Sequence, residues 1–215
     1  MQTVDLSHSL KTGMQVYPGD PTFNCMCVAT IQKDGSAVRS LSMGTHTGTH
    51  VDAPSHFIVD GKSIDQVPLS TFIGPALVID LTTKSARQAI TWEDLAPHAS
   101  KMTKGVILLL HTGWSKHWGT EKYLDHPFLE RTAAEQIMAT GIKVVGIDAL
   151  NPDETPLDGN GTFGVHEVIL GAGGIIAENL TNLHCLDGDN YTVQLIPLKI
   201  DESDGSPIRA FACKT

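Results

Sequence analysis

Apolar positions along this chain fall into short runs punctuated by Gly, Pro, Asn and Asp, and the spacing inside each run predicts its conformation. Val4 to Leu6 predicts a short strand and Phe23 to Ile31 a longer one, with Tyr17-Pro-Gly-Asp20-Pro between them as a tight turn. Val38 to Asp52 mixes Ser, Thr, Leu, Met, Gly and His, and its β-branched content favours a strand. Ala76–Leu81, Gly105–His111 and Val144–Asp148 are almost continuously apolar, as strands buried on both faces are. Tyr191–Ile200 and Ile208–Cys213 predict closing strands.

Helical spacing is rarer. Thr91-Trp-Glu-Asp-Leu opens a short helix, with Thr91 as N-cap and Asp94 as its capping-box partner. Pro127 at a first helical position, then Ala133, Ala134, Ile137 and Met138, with Gly141 as the stop, predict an amphipathic helix. Val165 to Leu170 predicts a short helix before Gly171. Interleaved strands and helices predict an α/β fold with a mixed sheet covered by helices. Strand–strand neighbours at both chain ends argue against a purely doubly wound sheet. No repeat, low-complexity segment or linker divides the sequence, so residues 1–215 are expected to form a single domain.

Composition narrows the function. With 24 Asp plus Glu against 15 Lys plus Arg, the net charge of −9 disfavours nucleic-acid backbones and anionic membranes as partners. No apolar run approaches the roughly 18 residues of a membrane span, and the start Met-Gln-Thr-Val-Asp-Leu-Ser-His lacks the pattern of a signal peptide. A cytoplasmic location with free thiols is expected. Cys25 and Cys27 are spaced to share a strand face as small hydrophobes rather than to bind zinc. Asn160-Gly-Thr and Asn179-Leu-Thr match the glycosylation sequon, without a secretory signal to give it meaning.

The ten histidines are the oddity of the composition. In Thr45-His46-Thr-Gly48-Thr-His50-Val-Asp52, the glycine and the threonines disfavour a helix. As a strand, the run points His46, Gly48, His50 and Asp52 to one face. That face presents two imidazoles and a carboxylate around an empty slot, a donor set for a borderline divalent ion such as Zn²⁺ or Mn²⁺. Pro54 ends regular pairing, and His56 follows on a loop that can turn back to the same space.

The stretch His46 through Phe57 resembles the His-x-Gly-Thr-His-x-Asp-x-Pro-x-His-Phe motif of the cyclase-like metal-dependent amidohydrolases, a family that includes kynurenine formamidases (arylformamidases) and isatin hydrolases. Further segments look like other parts of that family. They are Asp5-Leu-Ser-His8, Tyr17-Pro-Gly-Asp20, His111-Thr-Gly-Trp114, His166-Glu-Val-Ile-Leu-Gly through Glu178-Asn-Leu, Asp189-Asn-Tyr191 through Pro197-Leu, and Asp204-Gly-Ser-Pro-Ile-Arg209-Ala. The resemblance implies the family's swivelling β/β/α fold and a homodimer or homotetramer. It implies two divalent ions, with His46, His50 and Asp52 holding the first, His166 the second, and Asp52 and Glu178 bridging them. It gives His56 as acid/base and Tyr17 as a substrate contact. At Tyr17 the sequence departs from the kynurenine formamidase branch, which carries Trp, yet it keeps an aromatic wall.

The implied reaction is hydrolysis of an amide C–N bond by metal-activated water, as in N-formylkynurenine going to kynurenine and formate. Hydrolysis of a cyclic amide such as isatin is the neighbouring reading, and a non-catalytic metal-binding protein of the same fold is the alternative from another class. There is no Gly-x-Ser-x-Gly elbow for a serine hydrolase. Gly171-Ala-Gly-Gly174 lacks the spacing of a phosphate loop and instead suggests a chain passing close to the site between two ligand residues. His111, Trp114, His117 and Trp118 read equally as a pocket wall or as a packed surface turn. His8, His98, His126 and His184 read as ordinary.

Overall fold

The computed structural model describes residues 2–156, 161–188 and 190–214. Asn160 of the first sequon and Asp189 of the closing motif lie outside them. The strands are β1 (Thr3–Asp5), β2 (Asn24–Ala29), β3 (Val38–Ser42), β4 (His50–Asp52), β5 (Ile73–Asp80), β6 (Ala89–Ile90), β7 (Ile107–His111), β8 (Phe128–Leu129), β9 (Val144–Ile147), β10 (Ile175–Glu178), β11 (Tyr191–Gln194), β12 (Gly205–Pro207) and β13 (Phe211–Lys214). The α-helices are α1 (Ile31–Asp34), α2 (Trp92–Leu95), α3 (Arg131–Ala139) and α4 (Gly164–Gly171).

Among the described residues nine strands make one mixed sheet in the order β1-β13-β11-β5-β7-β9-β10-β4-β12. Its middle, from β5 through β7 and β9 to β10, is parallel. Both flanks are antiparallel. The fold is α/β, as the interleaved periodicities predict. The central strands are apolar throughout because both faces are covered. Along β7, Leu108 and Leu110 enter the core beneath α2, α3 and α4, while Ile107 and Leu109 enter a second core with Leu6, Val51, Phe72, Tyr191 and Val193.

The helix α2 starts where its cap requires. Asp94 accepts the backbone N–H of Thr91 at 2.8 Å. Other boundaries move. Pro127 does not begin a helix: Phe128–Leu129 first pairs in parallel with Ala89–Ile90, and α3 starts only at Arg131. The Phe23–Ile31 strand ends at Ala29 and turns into α1, β11 stops at Gln194, and β13 starts at Phe211. The run Val38–Asp52 is not one strand. It divides into β3 and β4 around a loop over 43–49, in which Gly48 takes φ +67°, a left-handed conformation that no strand continues through.

Among the described residues β3 pairs only with β2, and this ribbon leaves Met26, Val28, Val38 and Leu41 exposed. Cys27 is exposed for the same reason, against the expectation that it packs beside Cys25. All four cysteines are free thiols. Among the described residues no helix is long and apolar enough to cross a membrane.

Leu109, fully buried in the sheet centre, is expected to cost about 2–5 kcal/mol when truncated to Ala. The exposed Val59 is expected to cost under about 0.5 kcal/mol. Urea-unfolding midpoints of Leu109→Ala and Val59→Ala check both values.

Candidate metal centre

The centre follows from one strand register. β4 lies antiparallel to β10 with His50 directly opposite Glu178. Asp52, two residues on, shares the face of His50. His50 Nε2 therefore stands 3.4 Å from Glu178 Oε2 and 3.3 Å from Asp52 Oδ1. His46 arrives from the loop rather than from the strand. The turn at Gly48 brings its Nδ1 to 2.7 Å from Asp52 Oδ1. Gly205 on β12 leaves room for that ring, since a Cβ there would meet His46 Cε1 at 2.8 Å. From α4, His166 points Nε2 at the remaining oxygens, 3.5 Å from Asp52 Oδ2 and 3.2 Å from Glu178 Oε1. Each carboxylate thus turns one oxygen to His50 and the other to His166.

Every imidazole is fixed from outside. His50 Nδ1 donates to the Gly48 carbonyl at 2.8 Å. His46 Nε2 faces Asp204 Oδ2 at 3.2 Å. His166 Nδ1 donates to Asp153 Oδ2 at 2.6 Å, and Asp153 also accepts the backbone N–H groups of Val165 and His166 at the start of α4. Such outer partners set the tautomer and aim the inner nitrogen. His56, on the turn after Pro54, stacks on His46 at 3.9 Å between ring centroids and holds Nδ1 3.5 Å from Asp204 Oδ2. It is more exposed than the other site histidines, and with His46 and Asp52 it forms a group within ligand reach of a single ion. His50, Asp52 and Glu178 form a second such group.

Two atoms test whether a cation fits. Asp52 Oδ2 and Glu178 Oε1 are buried without a hydrogen-bond partner. Orphaned buried carboxylate oxygens are costly, and these two face the same imidazole. Hard oxygens and borderline imidazole nitrogens converging there suit a divalent cation. In the metal-free chain protonated rings supply the missing positive charge. Burial opposes charging His46, but Asp204 and Asp52 outweigh it and raise its pKa to about 9. Burial likewise opposes charging His50, and Asp52 and Glu178 raise it to about 10. Asp204 is held well below the usual carboxylate range by its bonds to His46 and His56.

All seven residues singled out in the sequence, His46, His50, Asp52, His56, His166, Glu178 and Tyr17, line one cavity. Phe57, Trp118, Tyr123 and Phe163 complete an aromatic wall. Phe57 stacks on His166 with centroids 4.7 Å apart. Of the second aromatic group only Trp118 reaches the cavity, where it stacks on His8; His111, Trp114 and His117 pack elsewhere. Residues 171–174 end α4 and turn the chain into β10 without lining the cavity.

The Cyclase family model matches residues 4–154 of this sequence, well over half the chain. The chain belongs to the cyclase family. This family member is 34% identical over 209 residues to the kynurenine formamidase of Bacillus cytotoxicus, covering 96% of this chain and 95% of that one. Isatin hydrolase A from Labrenzia aggregata, solved with benzyl benzoate, superposes with TM-score 0.87 at 27% identity, covering 98% of this chain and 93% of that one. A predicted metal-dependent hydrolase from Bacillus stearothermophilus superposes with TM-score 0.79 at 26% identity, covering 98% and 97%.

Asp153, Asn151 and Phe163 also belong to the site, and no spacing in the sequence marks them, because each reaches it from a loop or a helix start; Asp20, which ends the family-like segment from Tyr17, lines it too. Asp204 stood in a family-like segment without a role.

Since His46 and His50 are protonated near neutrality, binding of a cation must displace protons. Titrating Zn²⁺ into metal-free protein at about pH 7 is expected to release about two protons for an ion on His46 and His50. An ion on His166 should release about one more, because burial opposes charging that ring but Asp153, Asp52 and Glu178 raise its pKa. Both are read from the buffer dependence of the calorimetric enthalpy. Affinity should rise with pH until both rings are neutral, above the values of about 9 and about 10. The fold of the metal-free chain moves the opposite way. These raised values stabilise it fully below the ordinary His value of 6.5, and the contribution is lost as pH climbs through them.

Proposed function

We propose that this cyclase-family protein is a metal-dependent arylformamidase-like hydrolase, for which N-formylkynurenine, giving kynurenine and formate, is the model substrate. The observation that carries this reading is the pair of orphaned oxygens, Asp52 Oδ2 and Glu178 Oε1, set among His46, His50 and His166 in an aromatic-walled cavity. The kinship with kynurenine formamidase supports the substrate class.

In this reading His46, His50 and Asp52 would hold one Zn²⁺ or Mn²⁺ and His166 a second, with Asp52 and Glu178 the carboxylates that would serve both. Such ions acidify a bound water and polarise a carbonyl. The chain's own residues do the rest. Tyr17, Phe57 and Phe163 grip the aryl ring and exclude water from it. Water adds to the formyl carbon, the C–N bond breaks, and the leaving amine takes a proton. His56 is the acid that delivers it, with Asp204 beside Nδ1 and the ring's other nitrogen free for the substrate. Asp153 holds the proton on Nδ1 of His166 and aims Nε2 inward. The exposed apolar face of the β2–β3 ribbon supports assembly as a homodimer or homotetramer, and the composition supports a cytoplasmic location.

A cyclic amide such as isatin is the second reading. It is favoured by the likeness to isatin hydrolase A and by a cavity of about 190 Å³. A cavity of about 150 Å³ already holds benzene, so a compact substrate such as a small fused bicycle suits this one.

The test is turnover of N-formylkynurenine and isatin by one metal-loaded preparation, with activity abolished by a chelator and restored by Zn²⁺ or Mn²⁺. Full activity after chelation would sink the proposal. His56→Ala is expected to keep its metal and lose about 10²–10⁴-fold in kcat; loss of metal in that variant would make His56 a ligand instead. Asp153→Asn should weaken uptake of one ion by about 10–100-fold, measured by metal titration of the folded protein.

A further inference from the structure

Among the described residues three acidic side chains line the cavity, and the chemistry above uses two of them, Asp52 and Glu178. The third is Asp20. It is half-buried and stands in neither group of candidate ligands. Among the described residues its carboxylate has no hydrogen bond or ion pair.

A tight turn fixes its place. Pro18 and Gly19 are the central residues, Gly19 takes φ +103°, and the Asp20 N–H donates to the Tyr17 carbonyl at 3.0 Å. One rigid unit therefore carries both an aromatic ring and a carboxylate to the wall. The Tyr17 ring lies 6.4 Å from that of Phe163 between centroids, and Phe163 lies 5.5 Å from Phe57. Burial raises the pKa of Asp20, His46, His50 and His56 pull it back down, and Glu178 adds to the rise. A carboxyl that feels four residues of the metal centre faces the cavity rather than the outer surface of its turn.

A partly desolvated carboxylate without a partner is a receptor for a cation. Aromatic faces beside it suit an organic cation, which gains from the ring quadrupoles as well as from the charge. The described lining residues include no Lys or Arg, so no side chain occupies Asp20 and none waits to pair a carboxylate on the ligand. Asp20 stands outside the candidate ligand groups, and its charge is left to the substrate.

We propose that Asp20 is a specificity-determining residue whose carboxylate receives a protonated amine on the non-reacting arm of the substrate. The preferred substrates are then aryl formamides that carry an ammonium group, with or without a carboxylate beside it. This deepens the amidohydrolase reading and rests on it for the reacting bond.

The test uses formamides that share one ring, on the metal-loaded wild type and Asp20→Asn. They are N-formylkynurenine, N-formylkynurenamine, which keeps the ammonium but lacks the carboxylate, and 2-formamidopropiophenone, which lacks both. In the wild type, kcat/KM for N-formylkynurenamine is expected to exceed that for the neutral compound by about tenfold or more, mainly through KM. It should also match or exceed that for N-formylkynurenine. Asp20→Asn keeps the shape and removes the charge, and should lose most of this preference by losing the ammonium compounds. A wild type that turns over the neutral compound equally well overturns the proposal, so the test does not depend on the variant folding. An equal loss on every compound in Asp20→Asn would make Asp20 part of the metal centre's chemistry and overturn it too. Calorimetric Kd values for the amines kynurenamine and 2-aminopropiophenone separate the two readings. Preferential binding of kynurenamine that Asp20→Asn abolishes, with no formamide turned over, would uphold Asp20 as the cation receptor while rejecting the hydrolase reading. Turnover of every formamide at equal kcat/KM would reject the proposal alone.

Discussion

The pairing of β4 against β10 is the constraint on which the rest depends. It puts His50 opposite Glu178 and carries Asp52 to the same face, so two carboxylates are buried side by side. Neither has an Arg or Lys partner among the described residues. Such a pair would normally destabilise a sheet. Here three imidazoles surround it, and each imidazole is itself held from behind by Asp204, the Gly48 carbonyl or Asp153. The fold spends much of its irregular structure on those outer contacts, including the left-handed turn at Gly48 and the carboxylate that caps α4.

The parallel centre of the sheet has a different duty. β7 and β9 are buried on both faces and carry none of the candidate ligands; they hold β5 and β10 at fixed positions. Most of the candidate ligands sit where the sheet turns antiparallel, on β10, β4 and the loop before it, and His166 joins them from α4. There, strand ends are open on one side and loops can reach in. The aromatic wall closes that side with Tyr17, Phe57 and Phe163, which come from three separate segments.

Much of this was legible in the sequence. The continuous apolar runs gave the central strands because burial on both faces leaves no room for alternation. The cap at Thr91 placed α2. His50 and Asp52 were readable as one face, since strand periodicity holds between them. His46 was singled out for a reason that fails: the run before His50 is a loop, and the residue reaches the site through the positive φ of Gly48 rather than by alternation. Pro127 misled because a two-residue strand, β8, intervenes before the helix. His166 and Glu178 carried no local signal and were found only through likeness to a family. Asp153 escaped even that, because its role exists only once a loop folds against α4.

The position of β4 has a consequence for how the protein is made. Its sheet neighbours, β10 and β12, follow it in the chain by more than a hundred residues, so its pairings are long-range and are closed late. A nascent chain that has exposed His46, His50 and Asp52 holds half a ligand set with no strand on either side. The pocket is complete only when Glu178 and Asp204 have left the ribosome. A chain that stops before β10 is left with β4 as an unpaired edge, the kind of template on which strands aggregate.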